Sequence, residues 1–103
     1  MLKIVLTDRA DRSLDEIIDY YVIEHSAQRA EKVIKSMDDV FLKICKSPFA
    51  FPVCFHIDTP QENIRQVIVH NTFKVIYRVK TDCIEVLEIF HGNRNDALLK
   101  DIG

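Results

Sequence analysis

The chain has 103 residues, of which 48% are hydrophobic, and it contains only two glycines and three prolines. These totals exclude a fibrous or disordered chain and predict one globular domain over residues 1–103. Its 14 basic and 16 acidic side chains give a net charge of −2, which argues against a partner recognised mainly through a phosphate backbone.

The chain has three cysteines, Cys45, Cys54 and Cys83. Their wide spacing and apolar neighbours favour buried thiols over a disulfide framework or a zinc knuckle. His56 and His70 have no cysteine or carboxylate at metal-ligand spacing, so we expect neither a metal nor another cofactor. Asp8 follows the first apolar run too closely for a signal peptide, and no segment approaches the roughly 18 apolar residues of a membrane span. We therefore expect a cytoplasmic protein that does not contact a membrane.

The N-terminal half is predicted to form a strand and two helices. The apolar run Leu2 to Leu6 fits a buried strand. A helix begins between residues 8 and 14, because side chains suited to capping occur at both ends of that range. Ser26 caps a second amphipathic helix that ends at Ser47-Pro48. The short link between the helices predicts an antiparallel hairpin.

The C-terminal half is predicted to form a sheet, because from Val53 onward the apolar residues recur with a period of two. Three or four strands are expected, at about residues 53–57, 63–70, 72–80 and 83–91. Short polar turns separate the last three strands, so neighbours should pair antiparallel. We expect the first strand to join them, which gives an α+β fold: a strand, an antiparallel helical hairpin and a three- to four-stranded antiparallel sheet. Residues 95–102 are a candidate C-terminal turn or helix.

The strand at 72–80 has one unbroken apolar face, formed by Phe73, Val75, Tyr77 and Val79. We expect the helices to cover this face, which places Tyr77 in the core. Lys74 and Arg78 point to the opposite side together with Ile76.

The strand at 83–91 is predicted to be apolar on both sides. Simple alternation places Leu87 and Ile89 on the opposite face from Val86 and Phe90. Such a strand is central in its sheet or carries a surface that awaits a partner.

The stretch from Ile64 to Arg94 resembles a known family. It reads IRQVIVHNTFKVIYRVKTDCIEVLEIFHGNR. Its elements are a strand with Arg65, a strand from Phe73 to Tyr77, an apolar strand from Ile84 to Phe90, and finally His91 with Arg94. This ordered set is similar to the C-terminal half of RelE/ParE-type toxins, in which a strand and a helical hairpin also come first.

The resemblance implies the toxin of a bacterial type II toxin–antitoxin system, which inhibits growth, stabilises plasmids and is held inactive by a cognate antitoxin. One branch of the family blocks DNA gyrase. The other cleaves messenger RNA on the ribosome, as a metal-independent endoribonuclease. A third alternative is an inert domain of the same fold that only binds its antitoxin. Under all three, we expect no sequence-specific DNA binding by the toxin itself.

The gyrase-directed, ParE-like branch is favoured. The segment His91-Gly92-Asn93-Arg94 looks like the ParE-like ending of the last strand. Residues 95–103 contain neither the tyrosine nor the histidine that RelE-like nucleases often carry there. The slightly acidic net charge is also unlike a ribosome-acting member.

The resemblance also selects candidate site residues. In a nuclease, the catalytic candidates are Lys74, Arg78, His91 and Arg94, which would supply cations and an acid or base. Candidates for contact with the target or the antitoxin are Arg65, Lys74, Arg78, Arg94, Phe49 and Phe51. The apolar second face of the sheet is a further candidate docking surface.

Each candidate also has a structural alternative. His91 at a strand end fits a hydrogen-bonded structural residue, and Lys74 with Arg78 fits a solvated strand face. Arg65 and Arg94 fit intramolecular ion pairs. The loop that contains Phe49 and Phe51 fits a segment tucked under the sheet edge.

Overall fold

The computed structural model describes residues 2–53, 63–69 and 72–91. Their elements are β1 (Lys3–Leu6), α1 (Asp8–Glu24), α2 (Ala27–Lys46), β2 (Ile64–Val69), β3 (Phe73–Val79) and β4 (Cys83–His91). The strands form one four-stranded sheet in the order β1-β4-β3-β2. The predicted α+β fold and the entry of the first strand into the sheet are confirmed.

The sheet is mixed rather than wholly antiparallel. The pairs β2–β3 and β3–β4 are antiparallel, as the short turns predict, whereas β1 runs parallel to β4. Parallel neighbours require a long crossover, which the helical hairpin provides. The turn residues therefore specify only the antiparallel pairs. The parallel pairing of β1 with β4 depends on the helical hairpin that connects β1 to the rest of the sheet.

Two hydroxyl side chains begin the helices. The Oγ atoms of Thr7 and Ser26 each accept a hydrogen bond from the backbone N–H three residues further on. Helix α1 thus begins at Asp8, at the early end of its predicted range, and α2 follows after only two intervening residues. Each helix ends where the next N–H, of His25 or Ser47, donates to a carbonyl four residues earlier.

The helices cover the predicted apolar face of β3. The core beneath them includes Val75 and Tyr77, both 0% exposed, which confirms the predicted burial of Tyr77. A second, smaller cluster lies on the other face, formed by Ile64, Ile76, Leu87 and Phe90. These four residues are nearly fully buried, whereas Ile68, which pairs with Lys74 on the same face, is 49% exposed. The docking role of this face stays a prediction.

A β-bulge interrupts β4. Ile76 pairs with Glu88, but the next residue of β3, Tyr77, pairs with Val86, so Leu87 is an extra residue on β4. Such an insertion shifts the alternation of side chains by one position.

The bulge changes which residues of β4 face the helices. Val86 and Ile89 lie in the core under the helices, whereas Leu87 and Phe90 belong to the cluster on the second face. The predicted grouping of Leu87 with Ile89, and of Val86 with Phe90, is therefore wrong, because alternation alone carries no signal of an inserted residue. The strand is apolar on both sides, as predicted, and of the two alternatives given for such a strand the structure shows the central position, between β1 and β3.

The predicted strand at 53–57 is described only at its first residue. Val53 forms an isolated antiparallel bridge with Arg65, and the carbonyl of Pro52 accepts a hydrogen bond from the backbone N–H of Gln66 at 3.0 Å. Residues 54–57, like the candidate turn at 95–102, lie outside the described residues. In the part of the chain that the structure describes, no helix is long and apolar enough to cross a membrane.

Glu88, next to the bulge, is hydrogen-bonded to α1. Its carboxylate accepts hydrogen bonds from Arg9 Nε, Ser13 Oγ and the backbone N–H of Ile89. Thr7 adds a hydrogen bond from its Oγ1 to the carbonyl of Leu87, at 3.1 Å. Glu88 is only 5% exposed, so its charge is stabilised by these donors rather than by water.

The variant Glu88→Ala is expected to lower the free energy of unfolding by about 2 kcal/mol or more, because it leaves the Ser13 hydroxyl and the Ile89 N–H without their acceptor. Urea denaturation followed by circular dichroism measures this loss. The control is Glu85→Ala, which removes partly exposed ion pairs and should cost less than about 1 kcal/mol. Equal losses in the two variants would contradict a special role for Glu88.

Candidate functional site

Lys74 and Arg78 share the second face of the sheet. In the strand register Lys74 lies between Ile68 and Phe90, and Arg78 lies opposite Glu85. Arg78 Nη1 is 3.3 Å from Glu85 Oε1. Lys80 also approaches this carboxylate, with Nζ 3.8 Å from Oε2. The positive charge on this face is therefore partly balanced by Glu85.

His91 lies on the opposite face, next to α1. Its ring centroid is 5.1 Å from that of Phe73, in a stacked arrangement, and 5.0 Å from that of Tyr20. Tyr21 is 5.6 Å away and stacks in turn on His25, at the end of α1. His91 is thus part of an aromatic cluster between α1 and the sheet.

The nuclease candidates are consequently not brought together. Side chains on opposite faces of a sheet point away from each other. His91 and the pair Lys74 and Arg78 therefore cannot reach one scissile phosphate in this arrangement. Arg94, the fourth candidate, lies outside the described residues.

A polar cleft of about 180 Å³ lies beside His91. Its described lining consists of Ser13, Glu16, Ile17, Tyr20, Ile89 and His91. Sequence reasoning did not select the residues of α1 that line it, because on the sequence they are ordinary members of an amphipathic helix. The His91 ring therefore shares a cleft with a carboxyl group and a phenol rather than with the cations of the second face.

Arg65 holds the loop that follows α2. Its Nη1 donates hydrogen bonds to the carbonyls of Phe51, at 2.7 Å, and Phe49, at 3.3 Å. Its guanidinium carbon also lies 5.1 Å from the centroid of the Phe49 ring. The predicted structural alternative for Arg65 was an ion pair, but the acceptors found here are backbone carbonyls and an aromatic face.

Tyr77 holds the same loop from the neighbouring strand. It lies opposite Arg65 in the register of β2 and β3, and its hydroxyl donates to the carbonyl of Pro48 at 2.7 Å. Burial raises the pKa of Tyr77 to about 12, although the nearby charge of Arg65 acts in the other direction. The hydroxyl is therefore protonated, and able to donate, throughout the physiological range.

The two phenylalanines of the loop behave differently. Phe51 packs against the core and meets the Tyr77 ring edge-on, with centroids 6.5 Å apart. Phe49 instead leaves 57% of its surface exposed. Only Phe51 is tucked under the sheet, and Phe49 is displayed to solvent.

The thiols that the structure describes are free. Cys45 is buried, and burial raises the pKa of its thiol, which keeps it protonated. Cys83 is a free, partly buried thiol. Over the described ranges, no group of three or more His, Cys, Asp or Glu side chains is arranged to hold a metal ion.

Comparison with known proteins identifies the family. A family model described as the ParE toxin of the type II toxin–antitoxin system parDE matches residues 4–96. The chain belongs to the ParE toxin family. This confirms the predicted resemblance to RelE/ParE toxins and its ParE-like branch.

The fold has a solved counterpart. A chain from a structure of the chromosomal ParDE toxin–antitoxin system of P. aeruginosa is similar, with a TM-score of 0.72 and 21% sequence identity. The similarity covers 90% of this chain and 98% of that chain. At this identity it shows that the two chains share the ParE fold. No curated protein matches the chain.

The raised pKa of Tyr77 predicts a pH-dependent stability. Because the folded-state pKa of about 12 lies above the ordinary tyrosine value, about 10, the stabilising effect of the protonated hydroxyl is complete below about pH 10 and is lost as the pH rises towards 12. Urea denaturation at a series of pH values should show a steeper loss of stability in this interval for the unmodified chain than for Tyr77→Phe. At neutral pH this variant should be less stable by about 1 kcal/mol.

The matched control is Tyr20→Phe, because Tyr20 is 42% exposed and lies outside the loop contact. This variant should keep the steep alkaline loss of the unmodified chain. If Tyr77→Phe kept it as well, the link between the Tyr77 hydroxyl and the loop would be refuted.

Proposed function

We propose that this ParE-family chain is the toxin of a type II toxin–antitoxin pair that acts in the bacterial cytoplasm. It arrests growth by binding a protein target, DNA gyrase, without making or breaking bonds itself. A cognate antitoxin neutralises it. Membership of the ParE family supports the toxin role. We favour a binding mechanism over RNA cleavage because His91 lies on the opposite face of the sheet from Lys74 and Arg78.

The chemistry of RNA cleavage explains why this separation matters. A nuclease that uses the 2′-hydroxyl needs a base, an acid and cations, all within hydrogen-bond reach of the same phosphate. Here the histidine lies among aromatic rings under α1, while Lys74 and Arg78 lie on the far face, with Arg78 beside Glu85. This arrangement supports a toxin that binds its target rather than one that cleaves RNA.

Phe49 with Arg65 is the surface feature best suited to a protein contact. Aromatic side chains and arginine are enriched among residues that dominate binding energy. The loop is already held by Arg65 and Tyr77, so little conformational freedom is lost when a partner docks. We propose that Phe49 and Arg65 contact the target or the antitoxin.

Expression of the chain alone is the first test. We expect growth arrest, relieved by co-expression of a small antitoxin encoded next to it. The purified chain should inhibit DNA supercoiling by gyrase, and primer extension on translated messenger RNA should show no new cleavage sites.

Three outcomes would contradict the proposal. Absence of arrest would favour an inert antitoxin-binding domain. Cleavage of codons in the ribosomal A site, abolished by Lys74→Ala or Arg78→Ala, would show a nuclease. Arrest with neither cleavage nor gyrase inhibition would require another protein target.

The contact proposed for Phe49 predicts a selective loss in Phe49→Ala. This variant should keep the fold, because the ring is mostly exposed, but weaken either growth arrest or neutralisation by the antitoxin by about tenfold or more. The matched control is Ile23→Ala, which removes an apolar side chain that is 76% exposed on α1. If both variants behaved like the unmodified chain in both assays, Phe49 would not be a contact residue.

A further inference from the structure

A second cleft, of about 290 Å³, lies where the first half of α2 meets the end of α1 and the start of β3. We define it as the α2 cleft by six of its lining residues: Tyr21, Arg29, Lys32, Val33, Thr72 and Phe73. We propose that it receives a segment of the antitoxin in which a carboxylate lies next to a large apolar side chain. This inference rests on the proposed function and specifies where, and by what chemistry, the antitoxin is held.

The floor of the α2 cleft is apolar. Phe73 is 3% exposed, and its ring lies 6.0 Å from that of Tyr21 and 5.1 Å from that of His91. Val33 adds an aliphatic surface from α2. The volume is close to the lower limit for small-molecule sites, about 300 Å³, so it suits one or two anchoring side chains of a partner.

The rim of the α2 cleft is positively charged. Arg29 and Lys32 are both exposed and lie three residues apart, on one side of α2. None of the described residues that line the cleft is acidic. The first turn of α2 also has no acidic side chain, so the positive end of the helix dipole adds to the same potential.

Arg29 and Lys32 differ from the cations that already have an acidic partner within the chain. Arg78 and Lys80 lie next to Glu85, and Arg9 lies next to Glu88. Within the described ranges, the side chains of Arg29 and Lys32 form no ion pair or hydrogen bond. A carboxylate from a partner would therefore meet two cations without having to displace an internal one.

Charge and shape together favour a polypeptide over a nucleic acid. Two cations on a chain of net charge −2 are a weak match for a phosphate backbone, whose binding depends on many such contacts. The apolar floor instead requires an apolar side chain beside the anion. A segment that combines an acidic and an apolar residue satisfies both parts of the cleft.

Calorimetric titration of the purified chain with the polypeptide encoded next to it tests this proposal. The variant Arg29→Glu/Lys32→Glu should bind about tenfold or more weakly, because attraction is replaced by repulsion. The matched control is Arg12→Glu/Lys43→Glu, which makes the same change in net charge at exposed helix positions outside the α2 cleft. It should stay within about threefold of the unmodified chain, since exposed charges at a distance are screened by salt.

The floor is tested separately by Val33→Gln, which keeps both cations and should also weaken binding. In cells, Arg29→Glu/Lys32→Glu should still arrest growth but escape neutralisation by the co-expressed antitoxin. Circular dichroism of each variant checks that the fold is retained.

The possible failures can be told apart. If the unmodified chain does not bind the neighbouring polypeptide, the proposed function itself fails, and this inference falls with it. If the unmodified chain binds the neighbouring polypeptide, but the cleft variants and the control variant bind it with equal affinity, that polypeptide is still the antitoxin. Its binding site is then not the α2 cleft. A labelled 12-nucleotide single-stranded DNA that bound the unmodified chain, but not the Arg29→Glu/Lys32→Glu variant, would assign the cleft to nucleic acid and also overturn the proposal.

Discussion

The hydrogen bonds between Glu88 and α1 hold the bulge on which the rest of the structure depends. With the extra residue at Leu87, the end of β4 turns Ile89 and His91 towards the helices and Phe90 towards the second face. Without it, strict alternation would place His91 on the same face as Lys74 and Arg78. One inserted residue therefore places the histidine and the cations on opposite faces of the sheet, and the proposed binding mechanism rests on that separation.

A second constraint comes from the end of α2. Carbonyls just past a helix end lack intrahelical donors and must find others. Here two directly opposed side chains, Arg65 and Tyr77, donate hydrogen bonds to three carbonyls of the loop, those of Pro48, Phe49 and Phe51. Both residues belong to the pattern that identifies the family. The same residues that satisfy the backbone hold the loop that carries the exposed Phe49 ring, which links stability to the proposed contact surface.

The sequence predicts the elements well because their signals are local. Capping hydroxyls at Thr7 and Ser26 and the apolar face of β3 each depend on a few neighbouring residues. The faces of β4, the parallel pairing of β1 and the role of Arg65 depend on residues distant in the chain, so local patterns do not reveal them. The sequence contains one signal for the bulge. Glu88 is a charged residue inside an apolar strand, and a buried carboxylate needs hydrogen-bond donors from another element. The candidate site was less predictable than the fold, since its assembly depends on that single bulge.

Although the net charge is near zero, the cations differ in whether they are paired with an acidic side chain of the same chain. Of the predicted target-facing cations Lys74 and Arg78, Arg78 is balanced by Glu85, which Lys80 also approaches. The cations whose side chains have no such partner among the described residues include Arg29 and Lys32 on α2, next to an apolar floor. Because a charge already paired within the chain gains less from an external carboxylate, electrostatic recognition should be stronger at α2 than on the sheet face. The composition alone could not separate these two surfaces, since it counts the charges without showing which of them are already matched.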